Sequence, residues 1–357
     1  MAEQQAAIHE VTHPDRDEPL GWLAIDSSVA GLSFGGCRMS PSVTREEVAE
    51  LAAAMTWKLG CHGSPVGGAK GGIRIDPGSE EAPRLIRHFG RVLAPLLRTS
   101  VVLGKDMGAT NERMKALYEG VGDVQLALLG LPDFDWLGEL KGYRNFMTGL
   151  GVSYASLSAT GKANLKGLKV AIQGAGMVGL GAAYRLTELG AEVVALSDVE
   201  QCRFWQDGVD CESLLRACLE NKNLKRVDTG VVLERDAIFA LDVDLLILAA
   251  SSYSVTTENV DGIRAPIVIE GANMAFTADA RARIDQRDIT VVPDVIASSS
   301  SAAMVCLQMA NKGRLESEAL WIAIRNGITG AIERATAISS ESGMSLRNAH
   351  IQSMNSD

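Results

Sequence analysis

The stretch NLKGLKVAIQGAGMVGLGAAYRLTELGAEVVALSD, residues 164–198, decides the fold. LKVAIQG is a short apolar strand, a glycine turn follows, GLGAAYRLTELG reads as a helix and EVVALSD as a second strand. Gly174, Gly176 and Gly179 form G-x-G-x-x-G between the first strand and the helix, and Asp198 lies 19 residues past Gly179 at the end of the second strand. Strand before, helix after and acid beyond are the three conditions of a dinucleotide-binding βαβ unit. In such a unit Gly174 makes the tight turn, Gly176 lets the backbone approach a pyrophosphate, and Gly179 lets helix and strand pack. Met177 and Val178 open the helix, whose N-terminal N–H groups and dipole favour an anion. Asp198 would take the ribose hydroxyls and repel a 2′-phosphate, and Glu200 adds a second negative charge, so NAD is expected over NADP. The plainer alternative is a glycine-rich strand–helix turn that holds no nucleotide.

Downstream, VDLLILAAS (243–251), APIVIEGAN (265–273) and ITVVPDVIAS (289–298) read as further buried strands. Their spacing suits a doubly wound parallel sheet. SEALWIAIRNGITGAIERATAIS (317–339) reads as a helix, and SSSSAA (298–303) is a low-complexity run too short for a linker.

Upstream the pattern changes to α+β. GWLAIDSS (21–28) and GLSFGGCRM (31–39) read as strands, and TREEVAELAAAMTWKLG (44–60) as a helix. Thr44 caps that helix and Glu47 follows three residues later, the spacing of a capping box. EEAPRLIRHFGRVLAPLL (80–97) reads as another helix, and SVVLGKDMG (100–108) as a strand running into a loop. Between them, SPVGGAKGGIRIDP (64–77) surrounds Lys70 with Gly67, Gly68, Gly71 and Gly72. Glycine in ordered structure costs backbone entropy. The segment is therefore either a loop tip with a solvated lysine or a glycine loop that holds the lysine in a cleft.

The chain of 357 residues has room for two domains, and 46% apolar residues suffice for their cores. A net charge of −10 argues against a nucleic-acid binder, which needs a basic face. A small anionic substrate would need a local positive pocket, of which Lys70 is a candidate part. The N-terminal segment has no basic stretch followed by an apolar one, and no apolar run reaches the ~18 residues of a membrane span. The six cysteines form no C-x-x-C pair and the five histidines lack metal spacing. The expectation is a cytoplasmic protein with reduced thiols and no metal.

GGCRM, MTWK, GGAKGG, KDMG and TGLGV occur in that order before the βαβ unit, and EGAN (270–273) and VVPDVIA (291–297) after it. From about residue 20 to 315 this resembles the glutamate/leucine/phenylalanine/valine dehydrogenase family. The resemblance implies an α/β fold of two domains. A substrate and oligomerisation domain would take 1–143 with 317–357, and a Rossmann NAD domain 144–316. It implies reversible oxidative deamination of an L-amino acid to its 2-oxo acid and ammonium, in a homo-oligomer. Lys58 would bind the α-carboxylate, Lys70 would be the catalytic lysine and Asp106 would handle the amino-group proton. Gly35 and Gly36 would line the substrate cleft. Thr148 and Asn273 would lie near the nicotinamide, Arg144 matches a family arginine, and Ala249 joins the cofactor-binding set.

Departures from the family shape the substrate expectation. Glutamate-specific members carry a lysine where Phe34 stands and a serine where Val305 aligns, so a side-chain carboxylate would be buried without a partner, at high cost. Phe34, Gly104, Ala302 and Val305 are expected to make an apolar pocket for a bulky or aromatic side chain. The family's NAGG is replaced by Ser298–Ser301, AASSY (249–253) stands for an AALEN-like stretch, and Lys105 replaces a neutral residue. A specialised biosynthetic oxidoreductase for another amine or 2-oxo acid, or a non-catalytic NAD-binding subunit, are the alternatives. The joint presence of Lys58, Lys70 and Asp106 argues against the last.

Overall fold

The computed structural model describes residues 6–122, 146–221, 224–311 and 315–354. The chain divides into two compact units, one holding residues 6–122 and 305–315, the other 146–304 and 316–354.

The first unit is built on a five-stranded sheet. Its elements are β1 (Ala7–Val11), β2 (Gly21–Ile25), β3 (Ser33–Met39), α1 (Arg45–Gly60), β4 (Gly67–Ile73), α2 (Ala82–Val92), α3 (Ala94–Leu97), β5 (Val101–Lys105) and α4 (Asn111–Val121). The strand order is β1-β2-β4-β3-β5. β4 pairs antiparallel with β2 and parallel with β3, and β3 pairs parallel with β5. The glycine stretch around Lys70 is therefore no loop. It is the central strand, buried along its whole length, and the loop expectation is corrected.

The glycines explain how. A Cβ at Gly68 would lie 2.3 Å from Thr56 N and 2.7 Å from Ala52 O, and one at Gly72 would lie 2.3 Å from Val48 Cγ2. Helix α1 thus lies against this strand at a distance that side chains at 68 and 72 would forbid. Thr44 does cap α1, accepting from Glu47 N at 3.1 Å, but the Glu47 carboxylate reaches Arg38 instead of completing the box. The single helix expected over 80–97 is two, α2 and α3, with Pro95 in the first turn of the second. Proline is accepted there because its missing N–H would have no helical partner anyway. On the other face of the sheet, Leu23, Met39, Ile73, Leu103, Phe89 and Leu117 form a core with α2 and α4. β1 falls in an N-terminal segment whose polar composition hid it, and it forms an edge strand on β2.

The second unit is a Rossmann-type α/β layer structure. It contains α5 (Met147–Thr160), β6 (Lys169–Gln173), α6 (Met177–Glu188), β7 (Glu192–Ser197), β8 (Gln201–Phe204), α7 (Cys211–Asn221), β9 (Val231–Glu234) and β10 (Leu245–Leu248). It continues with β11 (Ile267–Glu270), α8 (Ala278–Ile284), β12 (Thr290–Val292), α9 (Asp294–Ala297), α11 (Ser317–Ser342) and α12 (Leu346–Met354), while α10 (Ser300–Ala310) begins in this unit and passes into the first at Val305. The seven-stranded sheet runs β12-β11-β10-β6-β7-β8-β9. It is parallel from β12 to β7, and the β8–β9 pair adds two antiparallel strands at one edge. The order reverses between β6 and β10, the position where open parallel sheets bind ligands.

Two expectations differ here. The strand expected over 289–298 ends at Val292, because Pro293 caps the short helix α9. The C-terminal helices, expected in the first domain, group with the second unit, α11 packing on α5 and α12 on β12. All six cysteines are buried free thiols. Among the described residues no helix is long and apolar enough to cross a membrane.

Candidate active site

Lys70 sits at the middle of β4, 4% exposed. Alternation along a strand puts its side chain on the same face as positions 68 and 72, the α1 face. The β3–β4 register pairs Phe34 with Gly68 and Cys37 with Gly71, which sets Gly35 and Gly36 beside Ala69 and Lys70. A Cβ on Gly35 would collide with the Ala69 carbonyl oxygen, and one on Gly36 would stand 2.9 Å from Asp106 Cβ. Both glycines are therefore required by the close approach of their neighbours, and Gly36 makes the room in which Asp106 stands.

Asp106 follows the last residue of β5. Its Oδ2 is paired with Lys70 Nζ, and its Oδ1 accepts from Met107 N at 2.6 Å. Arg38 NH2 lies 3.7 Å from Oδ1, while Arg38 NH1 holds Glu47 at 2.5 Å. Burial raises the Asp106 pKa, but Lys70, Arg38 and the hydrogen bonds to Lys70 and Met107 outweigh it and bring the carboxyl down to about 2. Burial, with the Asp106 charge behind it, pushes the neighbouring Cys37 thiol up to about 12, so Cys37 stays a neutral packing residue. Lys58, in the last turn of α1, is 6% exposed. Lys70 and the partly buried Asp106 thus share this face, and the buried Lys58 belongs to the helix that packs on it, while Lys105 is exposed.

Arg38 and Glu47 are the residues the motif reading passed over. Arg38 stands inside GGCRM, and Glu47 reads in sequence as part of the helix cap. The available signal was a cation one residue from a buried strand's end, with an acid on the helix that follows.

Phe34 is 7% exposed. A Cβ on Gly104 would touch its ring at 3.5 Å, and the register pairs Gly36 with Gly104 across β3 and β5. Phe34, Gly36 and Gly104 therefore form one small apolar surface. Ala302 and Val305 lie three residues apart on α10, both half-buried.

In the second unit the glycine turn has the geometry a dinucleotide needs. Gly174 has φ +106°, and a Cβ there would stand 2.6 Å from the Ala249 backbone. A Cβ on Gly179 would strike Gly174 O at 1.9 Å, whereas one on Gly176 would meet nothing within 4 Å. Gly174 and Gly179 are dictated by protein atoms; Gly176, the N-cap of α6, leaves its space open to an outside group. With Met177 and Val178 opening the helix, this cradle fits a pyrophosphate. A Cβ at Gly271, just after β11, would stand within 3.3–3.4 Å of Val152, Val178 and Ala249, so the glycine lets these three side chains close in beside the reversal of strand order.

Asp198 ends at the tip of β7 as expected, but its oxygens already work. Oδ1 accepts from Glu200 N and Gln201 N at 2.9 Å each, and Oδ2 from Leu224 N at 2.9 Å. Burial opposes and these backbone bonds cause a lowered pKa. Glu200 is paired with Lys225 at 2.5 Å. Thr148 Oγ1 is 2.7 Å from Ser301 Oγ. The serine run is an ordered device rather than a simple low-complexity insert. Ser298 bonds Asp294 O at 2.8 Å, Ser299 bonds Ile296 O at 2.7 Å and Ser300 bonds Met147 O at 2.8 Å. Gly151 of TGLGV makes room for Ser300, and Gly149 makes room for α6. Asn273 follows β11 in the turn that Met274 continues. Arg144 lies outside the described residues.

Residues 8–122 match the Glu/Leu/Phe/Val dehydrogenase dimerisation domain, and residues 141–353 match glutamate/leucine/phenylalanine/valine dehydrogenase. The chain is 32% identical over 303 residues to the NADP-specific glutamate dehydrogenase of Saccharolobus shibatae, covering 82% of this chain and 71% of that one. It is 32% identical over 314 residues to the NAD-specific glutamate dehydrogenase A of Halobacterium salinarum, covering 83% and 71%. Among solved structures, the L-tryptophan dehydrogenase of Nostoc punctiforme has the same fold, with a TM-score of 0.72 at 20% identity over 99% of this chain and 95% of that one.

Proposed function

The chain belongs to the glutamate/leucine/phenylalanine/valine dehydrogenase family, and from that premise we propose that it is an NAD-dependent dehydrogenase for an apolar or aromatic L-amino acid. The reaction is amino acid plus NAD⁺ and water to 2-oxo acid, ammonium, NADH and a proton, and its reverse. The observation that carries the reading is the buried Lys70–Asp106 pair on the face that also bears the apolar surface of Phe34 and Gly104.

The cofactor, when bound, accepts or donates the hydride at Cα. The remaining work falls to the chain. Lys58 provides a buried cation for the substrate α-carboxylate, whose charge then needs no water. Lys70 polarises the carbonyl oxygen and carries the proton of water as the carbinolamine forms and breaks. Asp106, kept ionised by Lys70 and Arg38, takes the proton of the amino group. Thr148, Asn273 and the Gly174–Gly176 turn belong to the nicotinamide and pyrophosphate ends.

The apolar substrate rests on Phe34. A side-chain carboxylate next to a buried phenyl ring loses its hydration and gains no cation, a loss of several kcal/mol for a charge. NAD rests on Asp198 more than on Glu200, because Lys225 neutralises the latter. The match to a dimerisation domain supports a homo-oligomer, and the acidic composition with six free thiols supports the cytoplasm.

The test is oxidation of NADH, and of NADPH in parallel, with ammonium and a panel of 2-oxo acids. The panel runs from 2-oxoglutarate through 4-methyl-2-oxopentanoate to phenylpyruvate and indolepyruvate. Turnover with the apolar or aromatic acids is expected. Preference for 2-oxoglutarate overturns the argument from Phe34, and preference for NADPH overturns that from Asp198. Silence across the panel with NADH still bound leaves the non-catalytic alternative standing.

A further inference from the structure

Asn273 and Met274 form a turn after β11 that the chain would not adopt unaided. Met274 has φ +48°, a left-handed conformation uncommon for a residue with a side chain. Backbone bonds on both sides hold it there, and the Tyr253 hydroxyl adds a contact to its sulfur at 3.5 Å. Its carbonyl accepts from Tyr253 N at 2.8 Å, and its N–H donates to Asp294 Oδ2 at 3.1 Å. Asp294 is fully buried, and its other oxygen, Oδ1, is held by Arg347 NH1 at 2.5 Å. Arg347 comes from α12, near the C-terminal end of the chain. The same Asp294 offers its backbone carbonyl to Ser298 N and Oγ, so one carboxylate residue ties the Asn273 turn to the start of the serine run. That run ends in the Ser301–Thr148 contact. A second buried acid, Glu270 at the end of β11, is held by Arg281.

We infer that Arg347 is a positioning residue for the nicotinamide end of the cofactor site, acting through Asp294 on the Asn273–Met274 turn. The inference rests on the reading that Asn273 lies beside the nicotinamide. The Gly174–Gly176 turn is fixed by its own close neighbours, Ala249 and Gly179, so the adenosine and pyrophosphate end keeps support that does not pass through Arg347. A buried carboxylate that loses its guanidinium either takes up a proton or draws in another donor. In both cases Asp294 Oδ2 is no longer fixed against Met274 N, and a strained turn relaxes when one of its restraints is loosened.

The experiment compares two ligands on the full-length protein: NADH, which has a nicotinamide, and ADP-ribose, which lacks it. In Arg347→Met the NADH dissociation constant is expected to rise about tenfold while that of ADP-ribose stays within about twofold. Arg347→Lys, which keeps the charge, recovers part of the difference and serves if the Met variant does not fold. Asp294→Asn repeats the phenotype, and the double variant Arg347→Met/Asp294→Asn is no worse than the weaker single one, as two steps of one relay require. Equal losses for both ligands, or none, overturn the role of Arg347. A wild-type protein that binds NADH no better than ADP-ribose overturns the nicotinamide reading itself, and the inference with it.

Discussion

The Lys70 ammonium meets the Asp106 carboxylate in a space that Gly36 leaves empty, with Lys70 4% exposed and Arg38 3.7 Å behind the acid. An ion pair so buried contributes little net stability, because desolvation offsets the attraction. Its value is chemical: a cation and a base share one proton-exchanging face. Lys70→Met is therefore expected to lower kcat about 10³-fold, the middle of the range for losing a positioned proton carrier. NADH affinity stays unchanged, since the glycine turn belongs to the other unit. Stability falls by about 3 kcal/mol, because Asp106 keeps only Arg38 and the Met107 N–H as compensation. Steady-state kinetics alongside NADH fluorescence titration checks both. Turnover within tenfold of wild type would remove Lys70 from the chemistry.

The same pair sets an acid-side prediction. The Asp106 pKa falls from 3.8 to about 2 in the folded protein, so the folded state binds that proton less tightly than the unfolded chain does. The contribution to stability is complete above pH ~4, where the unfolded carboxyl is already ionised. It is lost as the pH drops through about 2. The size is about 2 kcal/mol. Urea unfolding of wild type and Asp106→Asn between pH 2 and 6 should give curves whose separation changes between pH ~4 and ~2 and is flat above that window. A separation that varied instead between pH 5 and 6 would place the titration on another group.

How much of this is legible in sequence depends on how local the cause is. The Gly174–Gly179 turn is legible because its positive φ at Gly174 and the contact of Gly179 with Gly174 O arise within the turn itself, and only the approach of Ala249 to Gly174 is distant in sequence. The strand around Lys70 is not legible. Gly67–Ile73 has no alternation and the composition of a poor strand former. What makes it a strand is pairing with β2 and β3 and the approach of Thr56 and Val48 from α1, none of them adjacent in sequence. Arg38 and Glu47 were hidden for the same reason, since their partnership joins a strand to a helix. Ser298–Ser301 read in sequence only as a short low-complexity run in place of the family's NAGG, because the hydroxyl partners at Met147 and Thr148 lie 153 residues away.

The two kinds of glycine separate by substitution. Gly68→Ala puts a methyl 2.3 Å from Thr56 N, so α1 must shift or the strand must. The expected cost is about 2–3 kcal/mol, together with a rise in KM for the 2-oxo acid, because Lys58 moves with α1. Gly176→Ala meets nothing within 4 Å, so stability changes by less than about 1 kcal/mol, the size of an N-cap preference. The methyl instead occupies the space left for the pyrophosphate, and NADH affinity falls at least about tenfold. Denaturant melts and NADH titration on both variants decide the matter. If Gly176→Ala binds NADH normally, the turn holds no dinucleotide.

Gly104 gives the sharpest probe of the substrate pocket. A methyl there sits 3.5 Å from the Phe34 ring, an ordinary contact that strains nothing. Gly104→Ala should therefore fold as well as wild type. What changes is the room beside Phe34, reduced by one methyl group. In an apolar pocket one methylene is worth about 1–3 kcal/mol, or 10–200-fold in kcat/KM. The loss should fall on the bulkiest substrates: kcat/KM for phenylpyruvate and indolepyruvate drops by that factor while that for 4-methyl-2-oxopentanoate changes little. The ratio between substrates is the quantity to measure, since a general defect lowers all of them together. An unchanged ratio would mean that the substrate side chain does not lie against Phe34 and Gly104, and the case for an apolar substrate would lose its basis.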